Sequence, residues 1–262
     1  MLVRSLSVLA TLFWAQGAMA LEGPQTPLED PMRSGMWDYL QVELLEDPAD
    51  IQFDSRIKLS APVSADDSSS VPLLVDATAI DDVARIIVSA DYGPFPQILT
   101  YYPEHSEPKI ALRFKIDQAT AIRASVQTKD GRWHIGSTYV DAAGGGCSVP
   151  AQAYADADWE EKLGEIHGKI WAASSRARVV IDHPMDTGLA NNIPVFIVQH
   201  LDFEDPDGER LARIELHEPV SEDPAFSLYF EDGTMPVSMT VSGRDNNGNT
   251  FEGLLSSDTV TH

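Results

Sequence analysis

Between residues 109 and 117 the chain alternates without interruption. Ile110, Leu112, Phe114 and Ile116 fall on one side, and Lys109, Ala111, Arg113 and Lys115 on the other. A period of two with one apolar and one cationic face marks a strand half-buried in an antiparallel sheet, where one face meets a core and the other meets water. Shorter versions of this signature recur along most of the chain. Residues 51–53, 57–59, 71–75, 83–88, 121–127 and 132–140 read as strands, as do 178–182, 193–203, 211–216, 226–230, 237–241 and 250–255. Thr128-Lys129-Asp130-Gly131, Asp205-Pro206-Asp207-Gly208 and Glu231-Asp232-Gly233 punctuate them as turns. The expected fold class is all-β: two antiparallel β-sandwich domains, the second smaller than the first.

Two stretches break the pattern. In residues 34–46, Trp37, Leu40 and Leu44 have helical spacing, Ser34 is placed to cap, and Asp47-Pro48 ends the run. Between 156 and 173, Trp159, Leu163, Ile166 and Ile170 share one helical face, which predicts a short helix joining the sandwiches. The expected organisation is a first domain over 21–155, a linker helix over 156–176 and a second domain over 177–262.

Residues 1–20 read as a secretory signal peptide: Arg4, a mostly apolar run and the small-residue site Ala18-Met19-Ala20. The run is too short for a membrane span and nothing later approaches that length. The expected location is a bacterial periplasm, which oxidises thiols. Acidic residues outnumber Lys and Arg by 41 to 18, a net charge of −23. That balance excludes nucleic-acid binding, which needs a basic footprint. It steers the chain towards basic partners such as cytochromes, or serves solubility alone.

Cys147 is the single cysteine. It cannot form an internal disulfide, so it is either buried and inert or exposed and used. Gly144, Gly145 and Gly146 precede it, a poor strand that predicts a flexible loop presenting the thiol. No Lys, Arg or His lies between Gly136 and Lys162 to activate it. This pattern suits a carrier whose partners supply the chemistry better than an enzyme, and no catalytic or cofactor motif points to one. His183 and Met185, in His183-Pro184-Met185-Asp186-Thr187-Gly188, are weak candidates for copper ligands. No third ligand is evident nearby, so a shaped turn is the plainer reading and no metal is expected. Asp205-Pro206-Asp207-Gly208 and Asp245-Asn246-Asn247-Gly248 fail the spacing of calcium loops and read as hairpin turns.

Gly144-Gly145-Gly146-Cys147 is similar to the glycine-flanked cysteine of SoxY. His183-Pro184-Met185-Asp186-Thr187-Gly188-Leu189, with Ile193-Pro194-Val195-Phe196-Ile197 after it, resembles the corresponding stretch of SoxZ. Glu218-Pro219-Val220-Ser221-Glu222 and Asp245-Asn246-Asn247-Gly248-Asn249 add to the likeness, which is strongest to the fused SoxYZ-like carriers associated with quinoprotein dehydrogenases. The resemblance implies immunoglobulin-like sandwiches, and Cys147 as the covalent attachment point for a small, sulfur-containing adduct. It implies partners among quinoprotein dehydrogenases, cytochrome c or Sox-type enzymes. The alternative is a non-covalent accessory domain docking on such a dehydrogenase or cytochrome. SoxY carries its cysteine at the extreme C-terminus, whereas here Ser148-Val149-Pro150 follows and the chain continues.

Overall fold

The computed structural model describes residues 29–46 and 50–257. The expected signal peptide and the Asp47-Pro48 stop lie outside the described residues. The fold is all-β, built on a ten-stranded and a six-stranded sheet that share one apolar core. The larger sheet runs Ile51–Phe53, Trp133–Ala142, Thr120–Thr128, Val83–Ala90, Gln97–Tyr102, Arg210–Leu216, Val198–Glu204, Ser238–Asp245, Thr250–Ser256, with Ser64–Ala65 also on Trp133–Ala142. The smaller runs Ile166–Trp171, Arg176–Ile181, Ala225–Tyr229, Lys109–Phe114, Val71–Asp76, Lys58–Ser60. No helix among the described residues is long and apolar enough to cross a membrane.

Each sheet passes from the first half of the chain to the second through an antiparallel ladder. In the larger, Leu99 pairs Leu216 and Tyr102 pairs Arg213. In the smaller, Ile110 pairs Leu228 and Ala111 pairs Ser227. The two sandwiches are therefore joined edge to edge. Gln97–Tyr102 and Lys109–Phe114 would otherwise be open edges with unpaired amides, and each is closed by a strand of the other half. Ile98, Leu99, Ile110, Ile214 and Leu228 carry the core across the junction. Tyr101 is wholly buried there; its hydroxyl donates to the Glu107 carbonyl (3.0 Å) and shares a hydrogen bond with Ser106.

Gln97–Tyr102 is a strand that alternation did not reveal. Ile98, Leu99, Thr100 and Tyr101 are all buried, so the segment has no polar face to betray its period. The connecting helix is a correction. Only Trp159–Lys162 is helical; Ile166–Trp171 is a strand paired with Arg176–Ile181. A spacing of four residues satisfies both periods, so Ile166 and Ile170 share a face in either conformation. Gly164, at φ +81°, and Gly168 decide it: a Cβ on Gly168 would lie 2.3 Å from the Arg178 carbonyl oxygen.

The first helix, Trp37–Leu45, packs Trp37, Leu40 and Leu45 over Ile87, Trp133 and Ile135. Ser34 does not cap it; the Ser34 hydroxyl accepts the Met36 N–H (3.3 Å), and Met36 is the capping residue. Arg123 fastens this layer. Its guanidinium is fully buried, donates to Asp91 (2.6 and 2.7 Å) and to Asp30 (2.8 Å), and lies 4.4 Å from the Trp37 ring. Truncating it strands the Asp91 carboxylate, itself fully buried, without a counter-charge. Arg123→Ala is expected to cost about 3–5 kcal/mol, read as a lowered urea midpoint. A loss below about 1 kcal/mol would show that the pair does not anchor the helix.

Candidate functional site

Trp133–Ala142 delivers the chain to the glycines, which are not loose. The Gly145 N–H donates to the Asp117 carbonyl (3.2 Å) and the Gly146 N–H to the Ile116 carbonyl (3.1 Å), laying this segment across the end of the alternating strand. A Cβ on Gly144 would lie 2.2 Å from the Asp117 carbonyl oxygen, and one on Gly146 would lie 1.9 Å from that of Ser68. The glycines thus serve close approach and, at Gly144 and Gly145, positive φ. The expected flexible loop is a docked one. Cys147 sits in the short turn Gly146–Ser148 with only 3% of its surface exposed.

The second half of the chain closes over it. The Thr187 hydroxyl donates to the Cys147 carbonyl, and Thr187 and Asp186 are both buried. Asp186 accepts the Tyr154 hydroxyl and the Ala151 N–H (3.4 Å). Glu222 accepts the Gln152 N–H (2.7 Å) and the Ala153 N–H (2.5 Å). Tyr154 stacks edge-on against Trp159 at 4.9 Å. Residues 147–154 form a strap held by three side chains of the second half. The two motifs that carried the resemblance, remote in sequence, are in contact.

Lys115 lies beneath the strap. Alternation places it on the solvent face, yet it is 5% exposed. The regular strand ends at Phe114, and the chain beyond is covered from the second half: the Lys115 N–H donates to the Pro219 carbonyl (2.6 Å), and its ammonium to that of Met185 (2.5 Å). Burial, aided by the Asp117 charge and opposed by Lys115, pushes the Cys147 thiol up to about 11. In this closed state it is a protonated, unreactive thiol at neutral pH. Burial also lowers the Lys115 pKa, against the attraction of Asp186, Cys147 and Glu222.

His183 and Met185 are adjacent to this site and engaged internally. The His183 Nδ1 accepts the Met185 N–H (3.1 Å), and the Met185 sulfur accepts the Val198 N–H (3.2 Å). The His183 Nε2 lies 3.7 Å from Asp245, and its ring 4.4 Å from that of Phe196. Burial brings His183 down to about 4, so it is neutral over the physiological range. The shaped turn is what forms: Met185 adopts φ +50° and Gly188 φ +81°. The calcium-like loops are hairpin turns; Asp205 accepts the Asp207 and Glu209 N–H groups, and Asp245 those of Asn247 and Asn249. Sequence reasoning did not single out Lys115, Glu222 or Tyr154. Their roles depend on which segments meet; Glu222 ends one of the stretches that carry the resemblance, and nothing local marks Lys115 or Tyr154.

Comparison with known proteins gives two consecutive matches. The family model for sulfur oxidation protein SoxY matches residues 41–147, ending on Cys147, and that for sulphur oxidation protein SoxZ matches residues 172–255. No curated protein matches the sequence. Among solved structures, the sulfur carrier protein SoxY from Chlorobium limicola f thiosulfatophilum is 18% identical, with 41% of this chain and 96% of that one covered and a TM-score of 0.37. A tetra-tandem repeat from the extending region of a large adhesion protein is 12% identical, with coverage of 77% and 49% and a TM-score of 0.22. The two family matches in tandem make this chain a SoxYZ-like fusion, with a unit of the sulfur oxidation protein SoxY and a unit of SoxZ in one polypeptide.

Proposed function

We propose that the chain is an exported, periplasmic carrier, not an enzyme, that holds a small, sulfur-containing adduct covalently on Cys147. The observation that carries this reading is the coincidence of the only cysteine with the last residue of the SoxY match. The docked strap is then the resting state, in which the thiol is shielded from the oxidising compartment. Loading and unloading require the strap to lift, and partner proteins supply the chemistry. Sox-type enzymes, or a quinoprotein dehydrogenase and its cytochrome, are the proposed partners. The proposed domains are a SoxY-like unit over 21–155 and a SoxZ-like unit over 177–262, with a short connection between them.

The burial of Cys147 also favours a second reading. In it the thiol is a packing group, and the acidic chain is a non-covalent accessory that docks on a basic dehydrogenase or cytochrome. One substitution separates the two. Cys147→Ser is expected to leave the thermal midpoint within a few degrees and to abolish pathway turnover. Retained turnover would give the accessory reading the lead.

The strap makes its own prediction. The thiolate is the reactive form, and a proton held to about 11 leaves only in alkaline solution. Alkylation of the folded protein by iodoacetamide should therefore climb with pH without a plateau below about pH 9. Glu222→Gln exchanges two charge-assisted amide hydrogen bonds for weaker ones. It should raise the neutral-pH rate about tenfold while leaving the alkylation of urea-unfolded protein unchanged. A plateau near pH 8.5, or a rate unmoved by Glu222→Gln, would show that the strap does not guard the thiol.

A further inference from the structure

The outer face of the smaller sheet carries a charge opposite to that of the chain. Its strands hold Lys58, Lys109, Arg113, Lys169, Arg176 and Arg178, six of the chain's 18 Lys and Arg, against one of its 41 acids, Asp76. All of these alternate with residues packed in the core, such as Ile110, Leu112, Ala177 and Val179, so they point the same way, outward. Register then sets them in rows. Lys169 pairs Arg178, Arg178 pairs Ser227, Ser227 pairs Ala111 and Ala111 pairs Leu74. In the next row Asp76 stands between Lys58 and Lys109 and bonds the Lys109 ammonium (2.6 Å). Acids return where the strands end, as at Asp182 and Asp223.

Elsewhere on the molecule exposed cations sit beside acids, as Arg56 does with Asp54, Arg132 with Asp130 and Arg210 with Glu104. The centre of this face is different. An open hollow of 500 Å³ lies between Arg113 and Arg178, both exposed, and is lined also by Leu74, Ala111, Ala225 and Ser227. The Arg178 guanidinium has no hydrogen-bond or ion-pair partner among the described residues. Arg113 donates to the Ser70 carbonyl (3.1 Å) and hydroxyl (3.3 Å), which are neutral. Like charges gathered on one sheet face repel unless an anion compensates them.

We infer that this face is a docking surface for a protein partner that presents an acidic segment, its carboxylates meeting Arg113 and Arg178 and an apolar side chain covering the hollow between them. A guanidinium fork takes a carboxylate through two parallel N–H bonds. Six strands span about 24 Å, a width suited to another protein's surface. A long polyanion such as nucleic acid would instead run onto the acidic remainder of the chain. The face also ends beside the strap: Ser70, which Arg113 holds, lines a cavity with Val149, Pro150 and Ala151. Docking there is independent of what Cys147 carries.

The probe is a short fluorescein-labelled peptide of Glu residues flanking one Leu, titrated into the full chain at low ionic strength and read by anisotropy. Arg113→Glu/Arg178→Glu is compared with Lys129→Glu/Arg132→Glu, which changes the net charge equally but lies at an exposed hairpin of the larger sheet. The face variant should bind at least about tenfold more weakly than the hairpin variant, and added salt should weaken binding to wild type. A peptide with Gln in place of Glu should not bind. Arg178→Glu alone should weaken binding in the same direction, and it keeps the comparison valid if the change at Arg113 disturbs Ser70. No binding of the acidic peptide to wild type, or an equal loss in the face and hairpin variants, would overturn the inference. Salt-sensitive self-association of wild type that is lost in the face variant would also overturn it, by giving the face to a second copy of this chain.

Discussion

The ladder between Gln97–Tyr102 and Arg210–Leu216 is the constraint on which the rest depends. Two sandwiches tethered by a linker would each expose open strand edges and would meet in no fixed orientation. Pairing them through both sheets closes those edges and turns two cores into one. It also fixes what happens at one end of the molecule. Once Lys109–Phe114 is paired to Ala225–Tyr229, the chain beyond Phe114 runs beside Pro219 and Val220. The turn at residues 183–188 is then brought over the cysteine segment. The second unit thus supplies Thr187, Asp186 and Glu222, which hold the strap shut.

This arrangement changes the meaning of the glycines. Read alone, a run of three glycines before a cysteine means mobility. In the folded chain Gly144 and Gly146 are there because a Cβ would collide with the Asp117 and Ser68 carbonyls. The two meanings are compatible in sequence: glycines that allow a strap to lie close to a neighbouring backbone also leave few side-chain contacts to break when it lifts. The cost of opening is carried by hydrogen bonds that begin at Cys147 and continue through Ala153. A shielded thiol suits an oxidising compartment, where an exposed one is open to oxidation and mixed disulfides.

What could be read in the chain beforehand followed physical lines. A strand with one wet face, residues 109–114, announced itself by alternation. The hairpins at Asp205 and Asp245 announced themselves by turn chemistry. Gln97–Tyr102 was silent because both its faces are covered, and Ile166–Trp171 was misread because a four-residue spacing fits helix and strand alike. The importance of Cys147 was legible from its being alone. Its burial was not, since that depends on a turn forty residues later in the sequence. For the same reason Lys115 read as a surface lysine: the alternation of its strand was correct up to Phe114, and the partner that covers the next residue belongs to the other half.

The central claim is that Cys147 carries a covalent cargo, and the intact mass of protein taken from its own compartment tests it most directly. The account predicts a mass excess that maps to the peptide containing Cys147, disappears on reduction and is missing from Cys147→Ser. A population with an unmodified thiol throughout active growth on the pathway's substrate, with no excess trapped even after rapid acid quenching, would contradict it.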